Sequence, residues 1–125
     1  MTAFLLAGGE PVVRGIVDRF VDRMSSDMII GFFFAKADLS RVKQHEYEHA
    51  ARALGGGEAY TGRPIVPLHR TLRINGGQFR RRLAMLRQEL QAAGLPDEVI
   101  TPWLDEQRAL QAAMTDGTDC TPGLS

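Results

Sequence analysis

The sequence has only three histidines and one cysteine, and no apolar run approaches the roughly 20 residues that span a bilayer. The single cysteine, Cys120, cannot form an internal disulfide, so no disulfide framework is expected. The formal net charge is zero, which argues against nucleic acid or an anionic membrane as the main partner. Because the apolar N-terminus lacks a basic flank, we expect no signal peptide and a cytoplasmic location.

Within these limits the composition is that of one globular domain. The chain has 125 residues, 44% of them hydrophobic and 24% charged, which is enough for a single core. We expect the domain over residues 1–114 and a frayed tail over residues 115–125. Apolar residues recur at helical spacing and strand alternation is nearly absent, so the pattern predicts an all-α fold.

Periodicity and end signals predict four long helices. They cover about residues 12–24, 39–54, 78–93 and 97–114. The second helix is capped by Asp38 or Ser40 and ended by three consecutive glycines. In the fourth helix, Pro102 either starts the helix after a Thr101 cap or kinks it.

The second helix carries polar side chains on its predicted inner face. Glu46 and His49 interrupt an apolar stripe, and His45 lies beside them. Burying a carboxylate without a partner is unfavourable, so this face should meet a cavity, a metal or an opposite charge. The predicted inner face consists of Leu39, Val42, Glu46, His49, Ala50, Ala53 and Leu54.

Residues 45–49 spell H-E-x-x-H, which is the signature of zinc metalloproteases. Histidines four residues apart can converge on one metal, with Glu46 as the general base on a metal-bound water. A third ligand would have to be His69, the only other histidine. The sequence shows no metzincin extension and no clear strand that would bind an extended peptide. A zinc hydrolase stays an alternative.

An ordered set of short segments carries a resemblance to a known family. The segments are Gly8-Gly9-Glu10, residues 17–23, Phe33-Phe34, residues 54–64, His69, Phe79 and residues 92–96. Together they resemble the first group of truncated haemoglobins, over roughly residues 8–114. The resemblance implies a two-over-two helical sandwich that encloses haem b.

On this resemblance His69 is the proximal iron ligand. A neutral imidazole nitrogen coordinates the iron, and a backbone carbonyl would hold the other ring N–H. Phe34 matches a phenylalanine that packs on the haem face, although ordinary core packing explains it equally well. Further apolar haem contacts, each also explicable as core, are Val42, Leu68, Leu72, Ile74, Phe79 and Leu86.

The distal side departs from the family pattern. Val21 occupies the position of the usual tyrosine, and Glu46 that of a frequent glutamine. An ionised carboxylate cannot donate a hydrogen bond and would repel a polarised ligand. Arg82 replaces an aliphatic residue, and a buried guanidinium there would pair with Glu46. Alternatively the register slips by one residue, and the arginines at 80–82 are solvated or meet the haem propionates.

Two histidines extend the distal set. His45 matches a position from which some cyanobacterial members supply a second histidine to the iron. It either does so here or binds a haem propionate. His49 lines the pocket or its rim, and with Glu46 it forms a hypothetical proton relay.

We therefore expect a haem b protein that binds a diatomic gas: dioxygen, nitric oxide or carbon monoxide. A reductase would be a partner for nitric-oxide dioxygenation, and we expect a monomer or a weak homodimer. One alternative is a peroxidase-like haem enzyme with Glu46 and Arg82 as candidate catalytic groups. The others are a redox protein ligated by His45 and His69, and the zinc hydrolase.

Overall fold

Helices make up all the regular structure in the described part of the chain. The computed structural model describes residues 1–56 and 75–115, with side chains as far as residue 110. The helices are α1 Ala3–Ala7, α2 Gly9–Ser25, a 3₁₀ helix Gly31–Phe34, α3 Leu39–Ala53, α4 Gly76–Ala92 and α5 Asp97–Thr115. The predicted all-α fold is confirmed. No helix in these ranges has the length and apolar character to cross a membrane.

The ends of α3 follow from local hydrogen bonding and backbone geometry. The Asp38 side chain accepts a hydrogen bond from the Ser40 backbone N–H at 3.0 Å, which identifies Asp38 as the N-cap. At the other end Gly55 has a φ of +84°, a left-handed conformation that favours glycine. Both predicted end signals of this helix are confirmed.

Helix α4 begins earlier than the sequence pattern suggested, and α5 begins at the predicted residue. Asn75 and Gln78 form a reciprocal capping box, so α4 starts at Gly76. The carbonyl of Pro96 accepts the first hydrogen bonds of α5, from Val99 and Ile100. Pro102 therefore lies inside α5, and the prediction of a start after a Thr101 cap is wrong.

The short helix α1 was not predicted. The Thr2 side chain caps it by accepting a hydrogen bond from the Leu5 backbone N–H at 3.2 Å. Gly8, with a φ of +115°, turns the chain directly into α2. The backbone N–H of Phe4 donates to the carbonyl of Leu54 at 2.9 Å, which ties α1 to the end of α3.

The helices form two packed layers. Helix α2 packs on α3, and α4 packs on α5. Contacts of α2 with α4 and of α3 with α5 join one pair to the other, giving the predicted two-over-two sandwich. The most deeply buried large side chains are Tyr47, Phe20, Phe79, Ile16, Met24, Leu86, Leu90, Val13, Val17, Val21 and Val99.

The core-facing side of α3 differs from the prediction. Tyr47, Glu48 and Ala51 are buried, although none of them was assigned to the inner face. Glu46 and His49, which were assigned to it, are only half-buried. The large ring of Tyr47 explains the difference, since it packs toward α2, where the Arg14 guanidinium lies 3.9 Å from the ring centroid.

An acidic residue after α2 fixes the following loop to α4. Asp27 accepts hydrogen bonds from the backbone N–H groups of Ile29 and Ile30, at 2.9 and 3.0 Å. The Arg81 guanidinium donates to both of its oxygens, at 2.7 and 2.5 Å. The Arg81 hydrogen bonds, together with these backbone donors, hold the pKa of the Asp27 carboxyl well below its usual range.

Asp27→Asn is expected to lower the free energy of unfolding at neutral pH and to flatten its acid dependence. Since the folded pKa is lowered, the contribution of Asp27 is fully present above the unfolded pKa of about 4. It is lost as the pH falls from about 4 toward the lowered folded value. Thermal unfolding followed by circular dichroism from about pH 7 to about pH 3 measures both effects.

The control for this substitution is Asp105→Asn. Asp105 also accepts from an arginine, Arg108 at 3.0 Å, but both side chains are exposed and lie on α5. This pair should contribute little. If the free energy of unfolding of Asp27→Asn changed with pH in parallel with that of the wild type, the lowered pKa of Asp27 would be contradicted.

Candidate functional site

Four side chains of α3 form a stripe that is neither in the core nor exposed. Val42, His45, Glu46 and His49 follow one another at spacings of three and one residues, so they share one face of the helix. All four are half-buried, whereas the core-facing side of α3 is fully covered. We call these four residues the half-buried stripe. It carries two imidazoles and a carboxylate, which are groups that can coordinate or hydrogen-bond to a bound molecule.

The carboxylate of this stripe pairs with an arginine of α4. Nη2 of Arg82 donates to both oxygens of Glu46, at 3.0 and 2.8 Å. The two side chains are only 10% and 13% exposed, so the pair is largely withdrawn from water. Arg80 and Arg81 are exposed. The alternative in which all three arginines are solvated is therefore wrong for Arg82.

Four further side chains surround the Arg82 guanidinium. Nε donates to Oε1 of Gln107 on α5 at 3.0 Å, and Nη1 lies 3.6 Å from the sulfur of Met24 on α2. The centroids of the Phe20 and Phe79 rings lie 5.0 and 5.9 Å from the guanidinium carbon. Aromatic faces stabilise a cation electrostatically without accepting its conventional hydrogen bonds. Four helices thus meet at one buried charge.

The burial of this pair determines how much it contributes to the stability of the fold. Removing Arg82 would take a counterion from the largely buried Glu46, and removing Glu46 would do the same to Arg82, at a cost of up to about 3–5 kcal/mol. The intact pair avoids this cost, but it still loses the hydration of two ions. The pair therefore constrains α3 and α4 to stay together more than it adds net stability.

A polar cavity lies at the end of the stripe. Nε2 of His49 is 3.8 Å from Oε1 of Glu106 on α5. Arg52 and Ala53 complete the described lining of a cavity of about 300 Å³. The His49 side chain is 13% exposed and that of Glu106 41%, so the carboxylate is the more accessible end of the contact. This arrangement places acid–base groups one helical turn from Glu46.

The remaining predicted residues of the described part vary in burial. Val21 is fully buried in the core, with no exposed surface. Phe34 and Val42 are half-buried at the edge of the core. Phe79 and Leu86 are each 1% exposed, and Leu86 belongs to the main hydrophobic cluster.

The predicted proximal ligand and three of the predicted apolar haem contacts lie outside the described residues. His69, Leu68, Leu72 and Ile74 all fall between residues 57 and 74. Within residues 1–56 and 75–110, no group of three His, Cys, Asp or Glu side chains is placed to hold a metal ion.

Sequence reasoning did not assign a site role to Gln107, Met24 or Phe20. A signal for Gln107 is present, because it continues the buried stripe of α5 formed by Val99 and Trp103 at four-residue intervals. An amide at such a position needs a hydrogen-bonding partner in the core. The same argument identified Glu46 on α3.

Comparison with known proteins identifies a family. The bacterial-like globin family matches residues 2–116. A group 1 truncated haemoglobin, GlbN, of Mycolicibacterium paratuberculosis is 32% identical over 94 residues, which are 75% of this chain and 69% of that protein. GlbN of Synechocystis is 30% identical over 103 residues, or 79% of this chain and 83% of that protein.

Solved structures show the same fold. The 2/2 haemoglobin of Synechococcus, in the cyanomet state with covalently attached haem, superposes with a TM-score of 0.85 at 20% identity. The match covers 93% of this chain and 99% of that one. Truncated haemoglobin of Tetrahymena pyriformis, in its Fe(III) form, gives a TM-score of 0.83 at 21% identity, with 91% and 97% coverage.

These findings confirm the resemblance and the cofactor predicted from the sequence. Haem b is the standard cofactor of globins. The family match covers nearly the whole chain, and two relatives reach 30% identity. The chain is a bacterial-like globin of the truncated haemoglobin type.

Proposed function

We propose that this globin binds a diatomic gas at haem iron and that Arg82 is the hydrogen-bond donor on the distal side. One observation carries the proposal. The guanidinium is buried against Glu46, while the family's distal tyrosine position holds Val21, which has no hydroxyl. Arg82 offers a buried donor that can take the role of the missing hydroxyl.

The described residues fit a porphyrin. A flat apolar ring needs apolar walls, with polar groups only near the iron and at the propionate edge. Apolar side chains that are only partly covered come from the 3₁₀ helix, α3 and α4: Phe33, Phe34, Leu39, Val42 and Leu83. The half-buried stripe of α3 adds the polar groups, including the imidazoles of His45 and His49.

When bound, haem supplies the iron at which the gas is held. We assign His69 as the proximal ligand, and Leu68, Leu72 and Ile74 as apolar haem contacts, on the strength of the family resemblance. His45, on the half-buried stripe, is the candidate for a second ligand when no gas is bound. These assignments make the stripe of α3 the distal wall.

Arg82 and Glu46 have different roles in this proposal. Both oxygens of Glu46 accept hydrogen bonds from Nη2 of Arg82, so the carboxylate anchors the guanidinium. Nη1 contacts only the thioether of Met24, a weak acceptor, among the described residues. It therefore keeps capacity to donate to a ligand of partial negative charge. Phe20 and Phe79 keep water away from one side of the cation.

A second candidate function is a haem enzyme that uses peroxide. The contact between His49 and Glu106, at the cavity beside the stripe, favours it because it brings acid–base groups toward the site. Peroxide turnover that is lost when Glu46 or Arg82 is replaced would distinguish the enzyme from a carrier. The zinc alternative is disfavoured, since the glutamate of H-E-x-x-H is already paired with Arg82.

Replacing the proposed donor should accelerate gas release. Arg82→Met alone takes the Arg82 counterion away from Glu46 and should destabilise the fold by up to about 3–5 kcal/mol. The double variant Arg82→Met/Glu46→Met removes both charges and should recover most of that stability. Its dioxygen dissociation rate is expected to rise about 10- to 100-fold, the effect of losing a charged hydrogen bond. Stopped-flow measurement of dioxygen release from the ferrous holoprotein gives this rate.

Arg87→Met is the control for that experiment, since Arg87 is an exposed arginine of the same helix. It should release dioxygen at the wild-type rate. A wild-type rate in the double variant would refute the role of Arg82 while leaving haem binding intact.

His69→Ala should abolish stable haem binding, because the iron loses its protein ligand on the proximal side. The ultraviolet–visible spectrum of the purified variant is expected to lack the Soret band. His49→Ala is the control and should retain it. Full haem occupancy in His69→Ala, with an unchanged spectrum, would show that the proximal ligand is a different side chain.

His45→Ala tests the second ligand. If His45 binds the iron, the ferric wild type is six-coordinate and low-spin, and the variant becomes high-spin. We expect this change in the visible bands of the ferric spectrum. Identical spin states in the two proteins would rule out His45 as an iron ligand.

A further inference from the structure

Gln107 is a buried amide whose partner is Arg82. Its side chain lies on the apolar stripe of α5, and the residue is only 3% exposed. A primary amide withdrawn from water needs hydrogen-bonding partners. Its Oε1 accepts from Nε of Arg82 at 3.0 Å, a bond between two buried groups on different helices.

The bonds to Glu46 do not by themselves fix the orientation of the guanidinium. Both of them start from the same nitrogen, Nη2 of Arg82. Bonds that share one donor nitrogen allow the planar group to pivot about that nitrogen. The bond from Nε to Gln107 holds a second corner of the plane, so the two anchors together determine where Nη1 points.

Nη1, the third nitrogen of the guanidinium, is held less firmly. Nη1 lies 3.6 Å from the Met24 sulfur, and the rings of Phe20 and Phe79 accept no conventional hydrogen bond from it. Polar anchoring of the cation in the described part of the chain therefore comes from Glu46 and Gln107. Gln107 is neutral, so it leaves the net charge of the Glu46–Arg82 pair unchanged.

We propose that Gln107 is a positioning residue that fixes the Arg82 guanidinium, so that Nη1 is held toward a ligand of negative or partly negative charge. This rests on the proposed function, in which Arg82 serves the distal ligand. Without Gln107 the arginine keeps its charge and its bond to Glu46 but loses its fixed direction.

The test compares Gln107→Met with Gln107→Glu in the holoprotein. Methionine has a similar length and lacks the strong acceptor, whereas glutamate keeps an acceptor oxygen at that place. The first readout is the C–O stretching band of the ferrous carbon monoxide complex, which responds to the electric field at the ligand. The second is the affinity of the ferric protein for azide, a small anionic probe.

Gln107→Met should broaden or split the carbon monoxide band and move it to higher frequency, because the guanidinium then samples several directions. Azide affinity should fall about 3- to 10-fold, less than the loss of a whole charged hydrogen bond. Gln107→Glu should restore a single narrow band. Gln91→Met, an exposed glutamine of α4, is the control and should match the wild type.

The outcomes separate the two proposals. If Arg82→Met/Glu46→Met shifts the band and Gln107→Met does not, Gln107 has no positioning role while the proposed distal donor stands. If neither variant shifts it, both proposals fail. A broad band that Gln107→Glu does not narrow also overturns the positioning role.

A measurement on the wild type keeps the proposal testable if Gln107→Met does not fold. The Nε–H proton of Arg82, held between two buried groups, should give a resolved and slowly exchanging nuclear magnetic resonance signal in the carbon monoxide complex. Exchange as fast as that of the exposed Arg87 would overturn the proposal.

Discussion

The ion pair between Glu46 and Arg82 is the constraint on which the candidate site depends. It joins α3 to α4 at a place where neither side chain has more than about an eighth of its surface in water. A buried charge requires a counterion, so neither residue can be understood without the other. In the proposed function, the distal wall is thus built around a charge pair, with no hydroxyl at the Val21 position.

In the proposed function the distal donor comes from α4 instead of α2, which changes what controls the site. A tyrosine at position 21 would have depended mainly on the placement of α2. Arg82 instead depends on Glu46 from α3, Gln107 from α5 and Met24 from α2. Any shift between the two layers of the sandwich would therefore reach the guanidinium. In the proposed function, ligand binding and helix packing are therefore linked through Arg82.

The sequence predicted the part of this arrangement that involves the burial of a charge, because burying a charge without a partner is unfavourable. A carboxylate on an apolar helical stripe requires an opposite charge, and Arg82 met that requirement for Glu46. Gln107 escaped notice because an uncharged amide is tolerated at many surface positions. Helix α1 was missed because its five residues are too few to show periodicity. The sequence pattern did not show which side of α3 faces the core. That side is set by the packing of Tyr47 against α2, which is a tertiary contact.

Stability alone does not explain why a globin would keep such a pair. Apolar residues of similar volume at positions 46 and 82 would avoid the dehydration of two ions, and such replacements are often neutral or stabilising in proteins. The pair does provide a cationic donor inside a core whose local net charge stays zero. Glu46 holds the Arg82 guanidinium without occupying its other N–H groups, since both hydrogen bonds to Glu46 start from Nη2. The presence of the pair in this chain is therefore best explained by the role proposed for Arg82 toward a ligand.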